Sequence, residues 1–264
     1  MISAGTTWAL VLRYLRLLRR DTNLKLALLY WPTLDIIIWG FLGTWLQQSQ
    51  TDNIANYKAM VLTSILLWQI ASRGATNIFK CFAEELWSKN LINLFSLPVS
   101  LIEWILAAIM YNGIASSIVF LFSSFIITNF YHVSFVFILH ALLLFGLPLF
   151  LSACWLGFSC LQVISYFGKR AEEIGWVFAW FFAPFSGAYY PLEVLPPWAQ
   201  TISHCLPMSY VFEGIRAYLL RAEDPWPYII KAYLLSICYA LIAICLFIII
   251  FNRSKRYGLS RLTN

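Results

Sequence analysis

The sequence predicts an all-α polytopic membrane protein with six transmembrane helices. It also predicts an N-terminal interfacial amphipathic helix, a cytoplasmic amphipathic helix between spans 2 and 3, and broken helices between spans 5 and 6. Three observations carry this. Hydrophobic residues make up 61% of the 264-residue chain and charged residues only 11%, against roughly 25% charged in a soluble domain. The apolar residues fall into runs long enough to cross a bilayer, which takes about 20 residues each. The basic residues gather at the ends of those runs, mostly on one side.

The first element, residues 7–20, reads as a helix lying on the membrane surface. Trp8, Leu12, Leu15 and Leu18 fall near one face, and Arg13, Arg16 and Arg20 on another. The arginines interrupt any h-region, so this segment is not expected to be a cleavable signal peptide. Span 1 covers 24–46 and contains Pro32 and Asp35. A polar loop, 47–57, leads to span 2 at 58–79, with Arg73 toward its inner end. Residues 80–103 mix Glu84, Glu85, Lys89 and Glu103 with Leu86, Trp87, Leu91, Leu94 and Phe95. They predict a short amphipathic helix over 84–97, ended by Pro98.

Span 3, 104–128, carries no charge, and a turn at 129–133 follows it. Span 4, 134–162, lies in an uncharged stretch reaching Phe167. That stretch exceeds one crossing, so tilt or projection is expected, with a kink at Pro148. The loop 168–173 holds Lys169, Arg170, Glu172 and Glu173. Span 5, 174–190, is short. Residues 191–231 contain Pro191, Pro196, Pro197, Pro207, Pro225 and Pro227, and predict two short helices broken by prolines. Such backbone is tolerated at membrane depth only under a cover of protein or water. Span 6 is 232–251, and a basic tail ends the chain.

Orientation follows from the Lys and Arg distribution. The N-terminal segment, 73–103, 168–173 and the tail together carry 14. The opposite side carries 4, namely Lys58, Arg216, Arg221 and Lys231. The positive-inside rule then places both termini in the cytoplasm. The net charge of +6 is thereby read as a membrane feature, with no nucleic-acid partner.

Several chemistries lack a signature. No G-x-x-x-x-G-K-[ST] phosphate loop occurs, and Gly168-Lys169-Arg170 lacks its spacing, so the chain is not expected to hydrolyse ATP by itself. His132, His140 and His204 are far apart and there is no H-E-x-x-H. The six cysteines form no C-x-x-C pair, so neither a metal site nor a disulfide framework is expected. Asp35 is the one carboxylate well inside a span. It is read either as a pathway group or as the partner of Arg73 or Arg216. Aromatic residues at span ends, Tyr189 and Tyr190 among them, suit interfacial belts and could also line a pathway.

One segment carries a family resemblance. Pro184-Phe-Ser-Gly-Ala-Tyr-Tyr-Pro-Leu-Glu-Val-Leu-Pro-Pro-Trp-Ala-Gln, followed by Leu206-Pro-Met-Ser-Tyr-Val-Phe-Glu-Gly-Ile-Arg216, resembles the membrane (permease) subunit of type-2 ABC exporters. Prolines and glycines match in order over about 33 residues, and the remaining layout agrees across nearly the full length. The resemblance implies a single transmembrane permease domain over 1–264. It implies that 84–97 is a coupling helix whose Glu84, Glu85, Trp87, Lys89 and Asn90 seat in a separate ATPase subunit, flanked by Arg13, Arg16 and Arg20. It implies that 191–221 forms the re-entrant helices of an outer gate, with Pro191, Leu192, Pro196, Pro207, Glu213 and Arg216. Asp35, Tyr189 and Tyr190 are candidate pathway residues.

The partners implied are two copies of a nucleotide-binding ATPase, a second copy of this chain or a related permease, and the bilayer. No cofactor is expected on this chain; ATP and Mg belong to the partner. The implied location is a bacterial inner membrane, and the substrate an amphipathic drug, lipid or lipid-linked or polymeric glycan. A secondary transporter or channel using Asp35 is the alternative, and it would need a denser set of intramembrane charges. A membrane-embedded enzyme would need clustered carboxylates or histidines, which the sequence does not offer.

Overall fold

The computed structural model describes residues 3–49, 57–168, 173, 177, 180–219, 221 and 223–259. Among these every regular element is helical. The helices are α1 (Ala4–Arg20), α2 (Thr22–Ser49), α3 (Tyr57–Trp87), α4 (Leu91–Ser96), α5 (Leu101–Tyr131), α6 (Phe135–Phe167), α7 (Pro197–Cys205), α8 (Pro207–Leu219) and α9 (Trp226–Arg256). Single 3-10 turns lie at Ala183–Phe185 and Leu192–Val194. Among the described residues four helices, α2, α5, α6 and α9, are long and apolar enough to cross a membrane. The chain is a multi-pass integral membrane protein. Of the segments read from sequence, residues 174–176, 178 and 179 of the fifth span, most of the loop 168–173, the loop residues 50–56 and the end of the tail lie outside the described residues. Residues 182–190, read as the end of that span, form a 3-10 turn and bends, the turn beginning at Ala183 just before Pro184.

Local chemistry sets the boundaries. Ser100 caps α5 through a capping box: its hydroxyl accepts from the Glu103 amide, and the Glu103 carboxylate accepts from the Ser100 amide. The same carboxylate accepts from the Ser3 amide at 2.7 Å, which fixes the start of α1 against α5. His132 in left-handed backbone (φ 58°) ends α5, and three residues later α6 begins. Pro148 sits inside α6, and its carbonyl accepts from Ser152 Oγ and from Ser236 Oγ of α9. α9 starts at Trp226, six residues before the boundary read from sequence. Pro225 is its N-cap and Pro227 lies in its first turn, where a missing N–H costs no intrahelical bond.

α3 is the centre of the bundle and packs against α2, α5, α6 and α8. It is buried on nearly every face although it carries Thr63, Ser64, Gln69, Ser72, Thr76 and Asn77. Glycines bring it close to α6. A Cβ on Gly74 would stand 2.6 Å from the Ala153 methyl, and one on Gly157 would stand 2.9 Å from Ile78. Lipid tails are as apolar as leucine, so helices in a bilayer associate through such close van der Waals packing and interhelical hydrogen bonds. Asn77 Nδ2 donates to Asn112 Oδ1 of α5 at 3.3 Å and supplies one of those bonds.

The structure divides the segment read as one helix over 84–97. α3 continues through Glu84 and Glu85 to Trp87, and α4 is separate. The Lys89 amide donates to the Leu86 carbonyl and the Asn90 amide to the Glu85 carbonyl, the bond pattern of a Schellman helix end. Lys89 occupies its left-handed position (φ 53°), where glycine is usual. α4 is anchored on the end of α9: Phe95 lies 4.9 Å from Phe251, and Lys255 stands over the Phe95 ring.

Candidate functional site

Three places gather the residues singled out from the sequence. The first is the corner where α1 meets the end of α3. The amphipathic pattern of α1 turns Thr7, Leu10, Val11 and Tyr14 inward and leaves Arg13, Arg16, Arg19 and Arg20 exposed. Glu85, 1% exposed, is the hub. It accepts from Arg13 Nη2 at 2.9 Å, from Asn90 Nδ2 at 2.9 Å and from the Tyr14 hydroxyl at 3.4 Å. The Tyr14 hydroxyl in turn accepts from Trp104 Nε1 at 2.8 Å. Burial, with Cys81 and Glu85 adding to it, pushes the Tyr14 hydroxyl well above its ordinary range. It therefore stays a donor to Glu85 at any physiological pH.

Glu85 and Asn90 are thus internal braces, and the surface of this corner is made by others. Trp87 and Lys89 are exposed, Glu84 is half-buried, and Ile92 and Leu97 add apolar area on α4. Ile92 and Leu97 carried no sequence signal beyond the amphipathic pattern. Beside them, between α1 and α3, opens a cleft of about 710 Å³ lined by Arg13, Arg16, Arg20, Asp21 and Glu84. Burial raises the Glu84 pKa above the ordinary carboxylate value, with Asp21 and Glu85 pushing the same way and Lys80 opposing.

The second place is the proline-rich lobe. Arg216, buried, donates through Nε and Nη2 to Glu213 Oε1 at 3.1 and 2.6 Å, and through Nη1 to the Gly187 carbonyl at 2.7 Å. Glu213 also accepts from Arg221 Nη2 at 3.0 Å and from the Leu192 amide at 3.3 Å. One ion pair on α8 therefore holds the chain between 187 and 192. Gly187 is required twice over: its φ is +75°, and a Cβ would stand 2.9 Å from Arg216 Nη2. Leu192 and Pro207 are buried, while Pro191 and Pro196 are exposed. Pro191 and Pro196 occupy the N-cap positions of the Leu192–Val194 turn and of α7.

The third place surrounds Asp35. Arg73 Nη2 donates to Asp35 Oδ2 at 3.2 Å, so the pairing is with Arg73 and Arg216 is engaged elsewhere. Trp180 lies 5.5 Å from the Arg73 guanidinium. Tyr189 packs 5.0 Å from Trp39, one turn beyond Asp35, and 6.2 Å from Trp68 of α3. Tyr190 stands apart, its hydroxyl donating to the Pro184 carbonyl at 2.8 Å. Trp39, Trp68 and Trp180 join this cluster without any sequence signal, since tryptophans recur throughout the chain.

The family model described as ABC-2 family transporter protein matches residues 28–251. The chain is similar to the inner membrane transport permease YadH of Escherichia coli K12 and to that of Shigella flexneri, each 24% identical over 172 residues. The matched region is 64% of this chain, and the chain spans 65% of the length of those curated relatives. The family match runs from the second turn of α2 to Phe251 in α9 and includes the lobe held by Glu213 and Arg216. On that match the chain belongs to the ABC-2 transporter family.

Proposed function

We propose that this chain is the transmembrane permease half of an ATP-driven exporter, moving an amphipathic substrate out of the cytoplasm. In this reading α2, α3, α5, α6, the segment 174–190 and α9 are the six spans, and both termini are cytoplasmic. α1 lies at the inner interface, and the lobe 191–221 caps the outer end. Two ATPase subunits dock below a pair of such chains, bringing ATP and Mg with them, and the membrane is a bacterial inner membrane.

The observation that carries the reading is the course of α3. One unbroken helix of 31 residues runs from the bundle centre, past the Asp35–Arg73 pair, to the corner formed with α1 and α4. A rigid element of that length can carry a displacement at Trp87 to the spans it packs against. Family membership over 28–251 supports the transport role. The docking surface is Trp87, Lys89 and the exposed side of α4, with Glu84 and the arginines of α1 at its edge; Glu85 and Asn90 stiffen it from within.

Co-purification with a candidate nucleotide-binding ATPase subunit tests the proposal. The chain alone is expected to show no ATP hydrolysis. The complex is expected to hydrolyse ATP, and Trp87→Ala with Ile92→Asp to reduce co-purification while the chain still inserts. Robust hydrolysis by the isolated chain would overturn it.

A further inference from the structure

α3 and α5 lie side by side in antiparallel register. Phe82 of α3 meets Trp104 of α5, with ring centroids 5.6 Å apart. Further back on α3, Gly74 meets Asn112, further on along α5. The residue numbers of both contacts have the same sum, so the register holds over this stretch. Continuing from Gly74 back to Thr63 and from Asn112 on to Ser123 covers about three turns and ~16 Å of rise on each helix. A whole number of turns returns both helices to their facing sides. Thr63 and Ser123 are fully buried, and Ser64 and Ser124 beside them are buried too. Thr128 extends the α5 hydroxyls to within a turn of the end of that helix at Tyr131.

Among the described residues, the hydroxyls of Thr63, Ser64, Ser123, Ser124 and Thr128 are buried and find no hydrogen-bond partner. Other hydroxyls of the same helices close onto their own backbone: Ser72 donates to the Trp68 carbonyl, Thr76 to that of Ser72 and Ser117 to that of Gly113. The third helix at this place does not serve them either. α6 runs parallel to α3, with Ala153 at Gly74 and Gly157 at Ile78, which brings its stretch around Leu142 opposite Thr63. Between Phe135 and Leu147 its one polar side chain is His140, which is exposed and stacks on Tyr218. The other half of the α3–α5 seam is closed directly: Asn112 Oδ1 accepts from Asn77 Nδ2 at 3.3 Å and from Ser116 Oγ at 3.1 Å. Lipid offers a hydroxyl no partner, so a buried one inside a span is met by protein or by water. Hydroxyls at one level that do not reach each other suit a water between them. A buried water makes about three hydrogen bonds, so about two waters suffice for all five groups.

We propose that ordered water occupies the Thr63–Ser123 half of the α3–α5 seam and bridges Thr63 and Ser64 to Ser123, Ser124 and Thr128. The five groups are neutral hydroxyls, each donor and acceptor at once, which suits water and offers a cation no compensating charge. A bridging water turns to keep its bonds as two helices shift, whereas the Asn77–Asn112 bond holds one separation. α3 is thereby tied to α5 at one end of the seam and adjustable at the other. The water site stands whether or not the chain is an exporter, so its failure leaves that reading untouched.

The full chain, purified in a neutral maltoside detergent and equilibrated in heavy-oxygen water, is exposed to a short X-ray pulse. The pulse turns water into hydroxyl radicals, and the heavy oxygen added to side chains is located by mass spectrometry. Met60, 5% exposed and one turn before Ser64, is the reporter, since a buried methionine is oxidised by radicals formed beside it. Met208, fully buried on α8, is the dry reference. Met60 is expected to gain heavy oxygen and Met208 none. Thr63→Val combined with Ser123→Ala and Ser124→Ala is expected to lose the Met60 label down to the Met208 level. Ser165→Ala, which removes an equally buried and unpartnered hydroxyl near the end of α6, is expected to leave the label unchanged. Ser123→Ala alone is expected to lose part of it, and carries the test if the triple variant does not insert. An unlabelled Met60 in the wild type, or a label that neither the triple variant nor Ser123→Ala reduces, overturns the proposal.

Discussion

Arg216 donates to Glu213 twice and to the Gly187 carbonyl once, so its removal leaves a buried carboxylate with only Arg221 and the Leu192 amide as donors. Deleting one partner of a buried ion pair costs about 3–5 kcal/mol. Arg216→Ala is therefore expected to lower the thermal midpoint of the purified chain well below that of Arg216→Lys, which keeps the charge but loses the two-pronged geometry. Equal midpoints for the two variants would show that the fork does not matter. Glu84 offers a pH-dependent counterpart in the last turn of α3, beyond the apolar stretch 58–79 read as span 2. Its folded-state pKa is raised by burial, then by Asp21 and Glu85. The folded protein thus holds this proton more tightly than the unfolded chain does. The stability it contributes is complete below the ordinary carboxylate pKa and is lost as pH rises through the raised one. Glu84→Gln is expected to match the wild type in buffer below the ordinary carboxylate pKa and to exceed it in thermal midpoint near neutrality.

At the scale of elements, the approach of α3 to α6 through Gly74 is the tightest test. A larger side chain there meets the Ala153 methyl and the Asn112 amide at once. Gly74→Val is expected to destabilise by about 1–3 kcal/mol, the usual cost of overpacking, read as a lower thermal midpoint in detergent. The adjacent Arg73–Asp35 pair would shift with it.

What the sequence made legible divides along the same line. The apolar runs of α2, α5, α6 and α9 are continuous, so composition alone located them. The Ser100–Glu103 capping box is local, and it starts α5 at Leu101, three residues before the boundary read at 104. The end of α3 was not legible, because its Schellman turn uses Lys89 where a glycine would have marked the stop. Nothing local in the chain set Glu85 apart from Glu84. Only the fold turns Glu85 onto Arg13 and Tyr14, residues 72 and 71 positions away.

For the whole molecule, the decisive quantity is charge asymmetry. Fourteen basic residues fall on the side assigned to the cytoplasm and four on the other, a bias large enough to set topology. In that topology the α1–α3–α4 corner and the lobe around Glu213 face opposite compartments, which an alternating-access carrier requires of a docking surface and an outer cap. Two exposed positions report on it: Lys89 at the corner, and Trp198, 64% exposed, on α7 in the lobe. The exposed native thiols Cys205, Cys238 and Cys245 are first replaced by alanine. A single cysteine is then placed at either position and challenged with a membrane-impermeant maleimide. In intact spheroplasts Trp198→Cys is expected to label and Lys89→Cys to stay unlabelled until the membrane is permeabilised. Labelling of both from outside would place the corner and the lobe on one side of the bilayer, and α3 could then no longer link an ATPase below to a gate above. The reverse pattern would invert the protein and leave the basic face of α1 without anionic lipid or an ATPase to meet.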